Sequence, residues 1–149
     1  MKTSIQKANI TDFDFLLNNL RDCDKQEILA NMKEKSLKQH FELYKMMCLD
    51  NVYSVFINDK LVCMFGTNNW EIFSASIWML STKYLTKFNK TFLKLTQDIR
   101  KIAFGNNKKL FNFVYVENKP AIRYLKYIGA DFKNVFIQDK KFQYFEIVR

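Results

Sequence analysis

The sequence has few of the residues from which metal and disulfide sites are built. Among its 149 residues are one histidine and three cysteines. A single histidine, His40, cannot form a metal site by itself, so we expect no bound metal. Cys23, Cys48 and Cys63 are odd in number and show no Cys-x-x-Cys spacing. This usage is typical of reduced, buried or half-buried thiols in a cytosolic protein.

Long apolar runs are also absent. No run approaches the roughly 18 residues that a membrane-spanning helix needs, and the first segment, MKTSIQKANITD, has no signal-peptide core. We therefore expect no membrane partner. The chain is 48% hydrophobic, with 15 phenylalanines, so material for a core is plentiful. This length and composition predict one domain over residues 1–149.

Glycine and proline are scarce, with three and one in the whole chain. Three turn-forming residues nevertheless cluster in NKPAIRYLKYIG, directly after the apolar run LFNFVYVE. Asn118 is a good N-cap, Pro120 fits a first turn that needs no donor, and Gly129 can adopt the left-handed conformation that ends a helix. The pattern predicts a strand followed by a short, well-delimited helix.

The formal charge is +9 and it is unevenly distributed. Between Lys83 and Lys109 the chain has eight basic side chains and a single acid, Asp98. Such an excess indicates an anionic partner, which would be the phosphates of a cofactor, DNA or an acidic protein surface. The alternative is a merely solvated face.

The remaining pattern predicts the order of elements. A first strand precedes three helices, the first capped by Thr11 and the third by Ser36. Two strands then pair around an Asn58–Asp59 turn, and a third, FSASIWMLST, follows. Apolar residues from Leu85 to Ile102 recur every three or four positions and predict one long helix. After the strand and helix described above, a hairpin around Asp139–Lys140 ends the chain.

This order, together with Asn118, Ala121 and Gly129 in NKPAIRYLKYIGA, resembles the GNAT (Gcn5-related N-acetyltransferase) fold. A narrower likeness covers most of the chain. The stretches LRDCDKQEIL, VFINDKLVCMFG, IWMLSTKYLTKFNKTFLKLTQDIRK and VENKPAIRYLKYIGA look like the GNAT-like internal virion or acetyltransferase-like proteins of tailed phages. The resemblance implies an α/β (α+β) fold, with a twisted, mixed but mostly antiparallel sheet of about seven strands and helices on both faces.

The resemblance also implies acetyl-CoA or CoA as a cofactor. The family holds the diphosphate on a glycine-rich loop at a helix N-terminus, where backbone N–H groups approach the phosphates. Here the equivalent junction, STKYLTKFNKTF, has no glycine, and none occurs between Gly66 and Gly105. Binding would need a different geometry, in which lysines add charge. The candidate cofactor-binding residues are Leu80, Ser81, Lys83, Lys87, Lys90 and Asn118.

Catalysis in this family needs an acid and a base. The acid is often a tyrosine seven residues after the motif asparagine, but position 125 is leucine. Tyr124 is the nearest substitute, although packing on the sheet is its other interpretation. Glu117, at the end of a predicted strand, is the candidate base.

Arg21, Asp24 and Glu27 form a stripe on one face of an early helix, where GNAT substrates are gripped. They would hold a cationic substrate, or form a surface ion-pair set that contributes little to stability.

Two functions follow from these observations. In one, a phage GNAT-like scaffold without catalysis acts as a virion-associated or assembly component, and its basic face contacts other virion proteins, an acidic partner or DNA. In the other, the chain is an acetyl-CoA-dependent N-acetyltransferase with an atypical diphosphate loop. The first places the protein in the host cytoplasm during infection, or in the virion.

Overall fold

A seven-stranded sheet organises the chain. The computed structural model describes residues 1–31 and 51–149. The strands are β1 (Thr3–Lys7), β2 (Val52–Ile57), β3 (Lys60–Glu71), β4 (Ser74–Ser81), β5 (Lys109–Tyr115), β6 (Asp131–Ile137) and β7 (Phe142–Val148). The helices are α1 (Ile10–Asn19), α2 (Asp22–Asn31), a 3-10 helix (Lys83–Phe88), α3 (Asn89–Lys94), α4 (Thr96–Phe104) and α5 (Lys119–Tyr127).

The strands lie in the order β1-β2-β3-β4-β5-β7-β6. Every neighbouring pair is antiparallel except β4 and β5, which are parallel. A parallel pair needs a crossover connection, and the helical segment between β4 and β5 supplies it. The predicted fold class, a mixed and mostly antiparallel sheet of about seven strands, is confirmed.

Helices cover both faces of the sheet. On one face, α4 and the preceding helical turns pack on β2 to β5 and β7 through side chains such as Phe65, Phe92 and Phe104. On the other face, α1 and α2 cover β2 to β4 through a smaller cluster that includes Phe13, Leu16 and Ile28. Among the helices in the described ranges, none is both long enough and apolar enough to cross a membrane.

The predicted turns and caps agree closely with the structure. Asn58 and Asp59 both have positive φ angles, 50° and 62°, as the tight turns of two-residue hairpins require. The Asn118 side chain accepts a hydrogen bond from the Ala121 amide at 3.3 Å, and Gly129 has a φ of 96°. The cap of α1 is different from the prediction, because Asn9 rather than Thr11 is the N-cap and forms a reciprocal capping box with Asp12.

The long helix predicted from Leu85 is wrong in one respect. The segment is divided into the 3-10 helix, α3 and α4, with a tight turn at Leu95, whose amide donates to the Phe92 carbonyl at 2.9 Å. The apolar spacing still places Leu85, Phe92 and Ile99 in the core. A stripe of buried side chains is therefore compatible with an interrupted helix. The helix predicted after Ser36, with His40 and Cys48, lies outside the described residues.

Candidate functional site

The parallel strands β4 and β5 separate soon after they pair. Their register covers only Ser74–Ser76 and Lys109–Phe111, and beyond it the Asn112 side-chain amide donates to the Ile77 carbonyl at 2.6 Å. A cavity of about 830 Å³ opens where the strands diverge. Its walls come mainly from α2, β4, the 3-10 helix, α3, β5 and α5, with a few side chains of β6 and β7. They are mostly apolar, with Phe92, Val114 and Leu125 among the side chains.

The Asp24 carboxylate joins three elements at the edge of this cavity. It accepts the Arg21 Nε at 2.8 Å, the Ser81 amide at 2.8 Å and the Asn118 Nδ2 at 3.0 Å. Asp24 is 1% exposed, so the stripe on α2 is not a surface ion-pair set, and that interpretation is wrong for this residue. A buried carboxylate needs such a full set of donors, because burial of an unpaired charge is very costly.

These bonds use the backbone groups at the end of β4. We call the gap between the diverging ends of β4 and β5 the splay. The Thr82 amide donates to the Val62 carbonyl of β3 at 2.9 Å, so the preceding residue, Ser81, points its amide and carbonyl the other way, towards the splay. The Asp24 carboxylate takes the Ser81 amide, and the Arg21 amide donates to the Ser81 carbonyl at 3.0 Å. Arg21 and Asp24 therefore satisfy the main-chain groups of Ser81 that a ligand at this end of β4 would use.

Glu27 lies one turn after Asp24 and lines the cavity. Its Oε1 accepts the Tyr115 amide at 2.7 Å, which fixes α2 to the end of β5. Burial, together with the nearby Asp24 carboxylate, raises the pKa of Glu27 to about 7. The hydrogen bond from the Tyr115 amide acts in the opposite direction but does not cancel this effect. Glu27 is thus a carboxyl group that exchanges its proton near neutral pH.

The two candidate catalytic residues lie in different environments. Glu117 is exposed in the turn between β5 and α5. Tyr124 lines the cavity, its hydroxyl lies 3.1 Å from the Thr96 hydroxyl, and its ring meets Phe92 edge-on. Burial raises the pKa of Tyr124 well above its usual range, so the phenol stays protonated at neutral pH.

The turn after β4 is helical and packed. The buried Thr82 hydroxyl donates to the Leu61 carbonyl at 2.7 Å. Leu85 packs into the core, where 8% of its surface is exposed. The 3-10 helix occupies the junction where the resemblance implies a bare, glycine-lined loop. These residues do not form a loop of that kind for the diphosphate of acetyl-CoA, because Lys83–Phe88 is a helical turn that has side chains where the family has glycines.

The other candidate cofactor-binding residues are divided between the cavity and the surface. Leu80 and Ser81 line the cavity, and Asn118 is buried beside Asp24. The ammonium groups of Lys83 and Lys87 lie 5.4 Å and 6.0 Å from the centroid of the Tyr84 ring. Lys90 is exposed on α3.

Thiols and carboxylates do not form a metal centre in the part of the chain that the structure covers. No group of three or more His, Cys, Asp or Glu side chains there is placed to bind an ion. Cys23 lines the cavity and Cys63 is buried, both as free thiols, and burial raises the pKa of each. Neither thiol is therefore activated as a nucleophile.

Sequence reasoning missed two residues of this region. Asn112 closes the base of the splay, and a polar residue inside the apolar run LFNFVYV was the available signal. Lys60 also lies against Tyr84, at 4.6 Å from the ring centroid, although it belongs to a distant hairpin. No local pattern pointed to it, because its position depends on the pairing of β3 with β4.

Comparison with solved structures identifies the fold. An acetyltransferase of the GNAT family from Bacillus anthracis superimposes with a TM-score of 0.70 at 15% identity, over 99% of this chain and 95% of that one. PaiA N-acetyltransferase from Thermoplasma acidophilum, in complex with coenzyme A, gives 0.67 at 15% identity, over all of both chains. A spermidine N-acetyltransferase SpeG chimera from Vibrio cholerae and hSSAT gives 0.65 at 18%, over 99% and 96%. At such identities the likeness shows the fold alone, and the predicted GNAT fold is confirmed.

Comparison of sequences points to phages. The "Probable scaffold protein gp13" of Escherichia phage T7 is 36% identical over 84 residues, which are 56% of this chain and 58% of that protein. The match thus spans less than two thirds of the relative's length. A family model described as "Bacteriophage T7, probable scaffold protein Gp13" matches residues 54–137, more than half of the chain. The chain has a GNAT fold, and it belongs to the family of the bacteriophage T7 probable scaffold protein Gp13.

Proposed function

We propose that this chain is a virion-associated or assembly component of a tailed phage, built on a GNAT fold that does not transfer acetyl groups. Its partners are other virion or assembly proteins, and its place is the infected host cell or the particle. The family supports the partner class, since it is that of a probable scaffold protein of bacteriophage T7. The fold alone would favour an enzyme, whereas the geometry of the splay supports a scaffold.

One observation carries the proposal. Asp24 and the backbone of Arg21 take the Ser81 amide and carbonyl, at 2.8 Å and 3.0 Å. A cofactor that bonded to the Ser81 amide would have to displace a buried, fully bonded carboxylate. That exchange is unfavourable, because the carboxylate would lose charge-assisted hydrogen bonds that nothing replaces.

The surface supports protein contacts. Trp70, Ile72 and Phe73, at the tip of the β3–β4 hairpin, are 75%, 86% and 52% exposed. Phe73 has a φ of 64°, a strained value for an aromatic residue, and its carbonyl accepts the amides of Lys108 and Lys109. Exposed apolar side chains on a strained loop that hydrogen bonds fix to the neighbouring strand are typical of a protein–protein contact.

The experiment is quantitative detection of the protein in purified assembly intermediates and mature particles of the parent phage. We expect co-sedimentation at a fixed copy number. The double variant Trp70→Ser, Ile72→Ser should be incorporated less, whereas the matched control Leu29→Ser, Val148→Ser, also at exposed apolar positions, should not. Recovery of the wild-type protein only in the soluble fraction would refute the proposal.

Two observations favour a second candidate, an acetyl-CoA-dependent N-acetyltransferase. Glu27, with a pKa of about 7, is the kind of carboxyl group that accepts a proton at neutral pH. The buried Ser81 hydroxyl in the cavity wall has no hydrogen-bond partner among residues 1–31 and 51–149. In this alternative the general base is Glu27 and not Glu117, the candidate base predicted from the sequence. Binding of acetyl-CoA, tested at the end of the Discussion, distinguishes the two.

A further inference from the structure

Three lysine side chains converge on one tyrosine at the end of the molecule formed by the β2–β3 turn and the 3-10 helix. The ammonium groups of Lys60, Lys83 and Lys87 lie 4.6, 5.4 and 6.0 Å from the centroid of the Tyr84 ring. Phe15 of α1 stacks on the same ring, with centroids 6.0 Å apart and an interplanar angle of 25°. We propose that this lysine cluster, Lys60, Lys83 and Lys87 around Tyr84, binds the phosphodiester backbone of a nucleic acid.

The backbone holds the cluster together. The Thr82 hydroxyl donates to the Leu61 carbonyl at 2.7 Å and the Thr82 amide to the Val62 carbonyl at 2.9 Å. These two bonds fix the start of the 3-10 helix against β3. Because Thr82 precedes Lys83 and its partner Leu61 follows Lys60, the bonds bring Lys83 close to Lys60. The Thr86 hydroxyl donates to the Lys83 carbonyl at 3.1 Å and places Lys87 one turn later. The convergence is thus a property of the fold.

The cluster has no counter-charge among residues 1–31 and 51–149. None of the carboxylates in the described ranges pairs with Lys60, Lys83 or Lys87. Asp59, which precedes Lys60 in the sequence, is paired with Lys2 at 2.9 Å. All three ammonium groups lie around one ring, within roughly one Debye length of each other, which is about 10 Å at 0.1 M salt. A bound polyanion would relieve their mutual repulsion.

A nucleic acid fits this cluster better than an acidic protein does. Lysine is depleted in protein–protein interfaces, whereas it is a common point-charge ligand of phosphate. Duplex DNA presents one charge per about 1.7 Å of its axis, dense enough to meet three ammonium groups at once. The basic surface continues along the chain from the cluster with Lys90 and Lys94, both exposed. An extended polyanion can use these charges together.

The cluster is also separate from the splay. Leu85 and Thr86 of the 3-10 helix line the cavity, whereas Tyr84 between the lysines stacks on α1. None of Lys60, Lys83, Tyr84 and Lys87 lines the cavity. This inference goes beyond the proposed function and does not depend on it, since it concerns the purified chain and DNA alone.

The test is fluorescence anisotropy of a labelled 20-base-pair DNA duplex against salt concentration. Three lysines that contact phosphates contribute roughly 2 to 3 to the slope of log K against log salt. We expect the triple variant Lys60→Gln, Lys83→Gln, Lys87→Gln to lose that much slope. The matched control Lys101→Gln, Lys108→Gln, Lys126→Gln makes the same charge change at exposed lysines away from this surface and should lose less than about 1. Equal losses of slope in the two triple variants would overturn the proposal, because they would show that DNA responds to the overall positive charge and not to this cluster.

A charge-neutral pair of variants tests the geometry. Tyr84→Leu removes the ring but no charge, and we expect weaker DNA binding, whereas Tyr84→Phe should bind like the wild type. Melting temperatures of both variants control for folding. Unchanged binding by a folded Tyr84→Leu variant would contradict an organised cluster.

Competition separates the sources of anionic charge. Unlabelled DNA should displace the labelled duplex far better than polyglutamate of equal total charge, and coenzyme A at equal ionic strength should not displace it. Equal displacement by polyglutamate would assign the surface to an acidic protein. Displacement by coenzyme A would assign it to a cofactor, and the absence of DNA binding at low salt would also refute the proposal.

Discussion

The Asp24 carboxylate accepts the backbone amide of Ser81 at 2.8 Å, and this bond closes the end of β4 with a group from α2. The same carboxylate binds Arg21 and Asn118, so one side chain joins α2, β4 and the N-terminus of α5. In this chain the place where β4 and β5 part is thus a structural joint. That joint is the main reason to expect a GNAT scaffold without catalysis.

Replacement of Asp24 by asparagine should destabilise the protein strongly. The neutral amide would leave the half-buried Arg21 guanidinium without its negative partner, and breaking such a pair costs on the order of 3 kcal/mol. Urea unfolding measures the loss. The matched control is Asp22→Asn, which makes the same charge change at an exposed position of the same helix and should cost less than about 1 kcal/mol. Similar losses in both variants would mean that the joint contributes little.

Glu27 should make stability depend on pH between about 4.5 and 7. Its pKa is about 7 in the folded protein and about 4.5 in the unfolded chain, so the folded state binds the extra proton. The stabilisation is complete below the lower pKa and is lost as pH rises through the upper one. The loss is on the order of 3 kcal/mol at most.

Glu27→Gln isolates that contribution, because glutamine keeps an acceptor for the Tyr115 amide and cannot titrate. From pH 5 to pH 8 the free energy of unfolding of the wild type should fall relative to that of the variant. Urea unfolding at both values gives the difference. A constant difference between the two proteins would show that Glu27 titrates as an ordinary carboxyl group.

Gly66 should be intolerant of a side chain, because a Cβ there would lie 2.7 Å from Nε1 of Trp78. Gly66→Ala should cost about 1 to 3 kcal/mol, as overpacking does. In a Trp78→Leu background the same change should cost at least about 1 kcal/mol less, which a double-mutant cycle of unfolding free energies measures. Equal costs in the two backgrounds would exclude the clash as the cause.

Local features of the fold were predictable from the sequence. Asn118, Pro120 and Gly129 delimit α5 as expected, because caps and turns depend on residues within a few positions of each other. The break at Leu95 was not predictable, since the apolar spacing is the same for an interrupted helix and a continuous one.

The candidate site was harder to predict than the fold. The spacing of Arg21, Asp24 and Glu27 places Asp24 and Glu27 on one face of α2 and Arg21 directly before the helix, but it does not tell whether that face meets solvent or the end of β4. The nearness of Lys60 to Lys83 follows from the register of β3 with β4, a long-range property. A splay between parallel strands leaves no local sequence signal.

Thermal unfolding of the purified chain with acetyl-CoA tests the central claim most directly, namely that this GNAT fold has no acetyl-CoA site. A ligand at 100 times its dissociation constant adds about 2.7 kcal/mol, which would raise the melting temperature of a domain this size by about 5 °C or more. With millimolar acetyl-CoA, we predict the same melting temperature as with ATP at equal ionic strength. A saturable rise that acetyl-CoA produces and ATP does not would contradict the account.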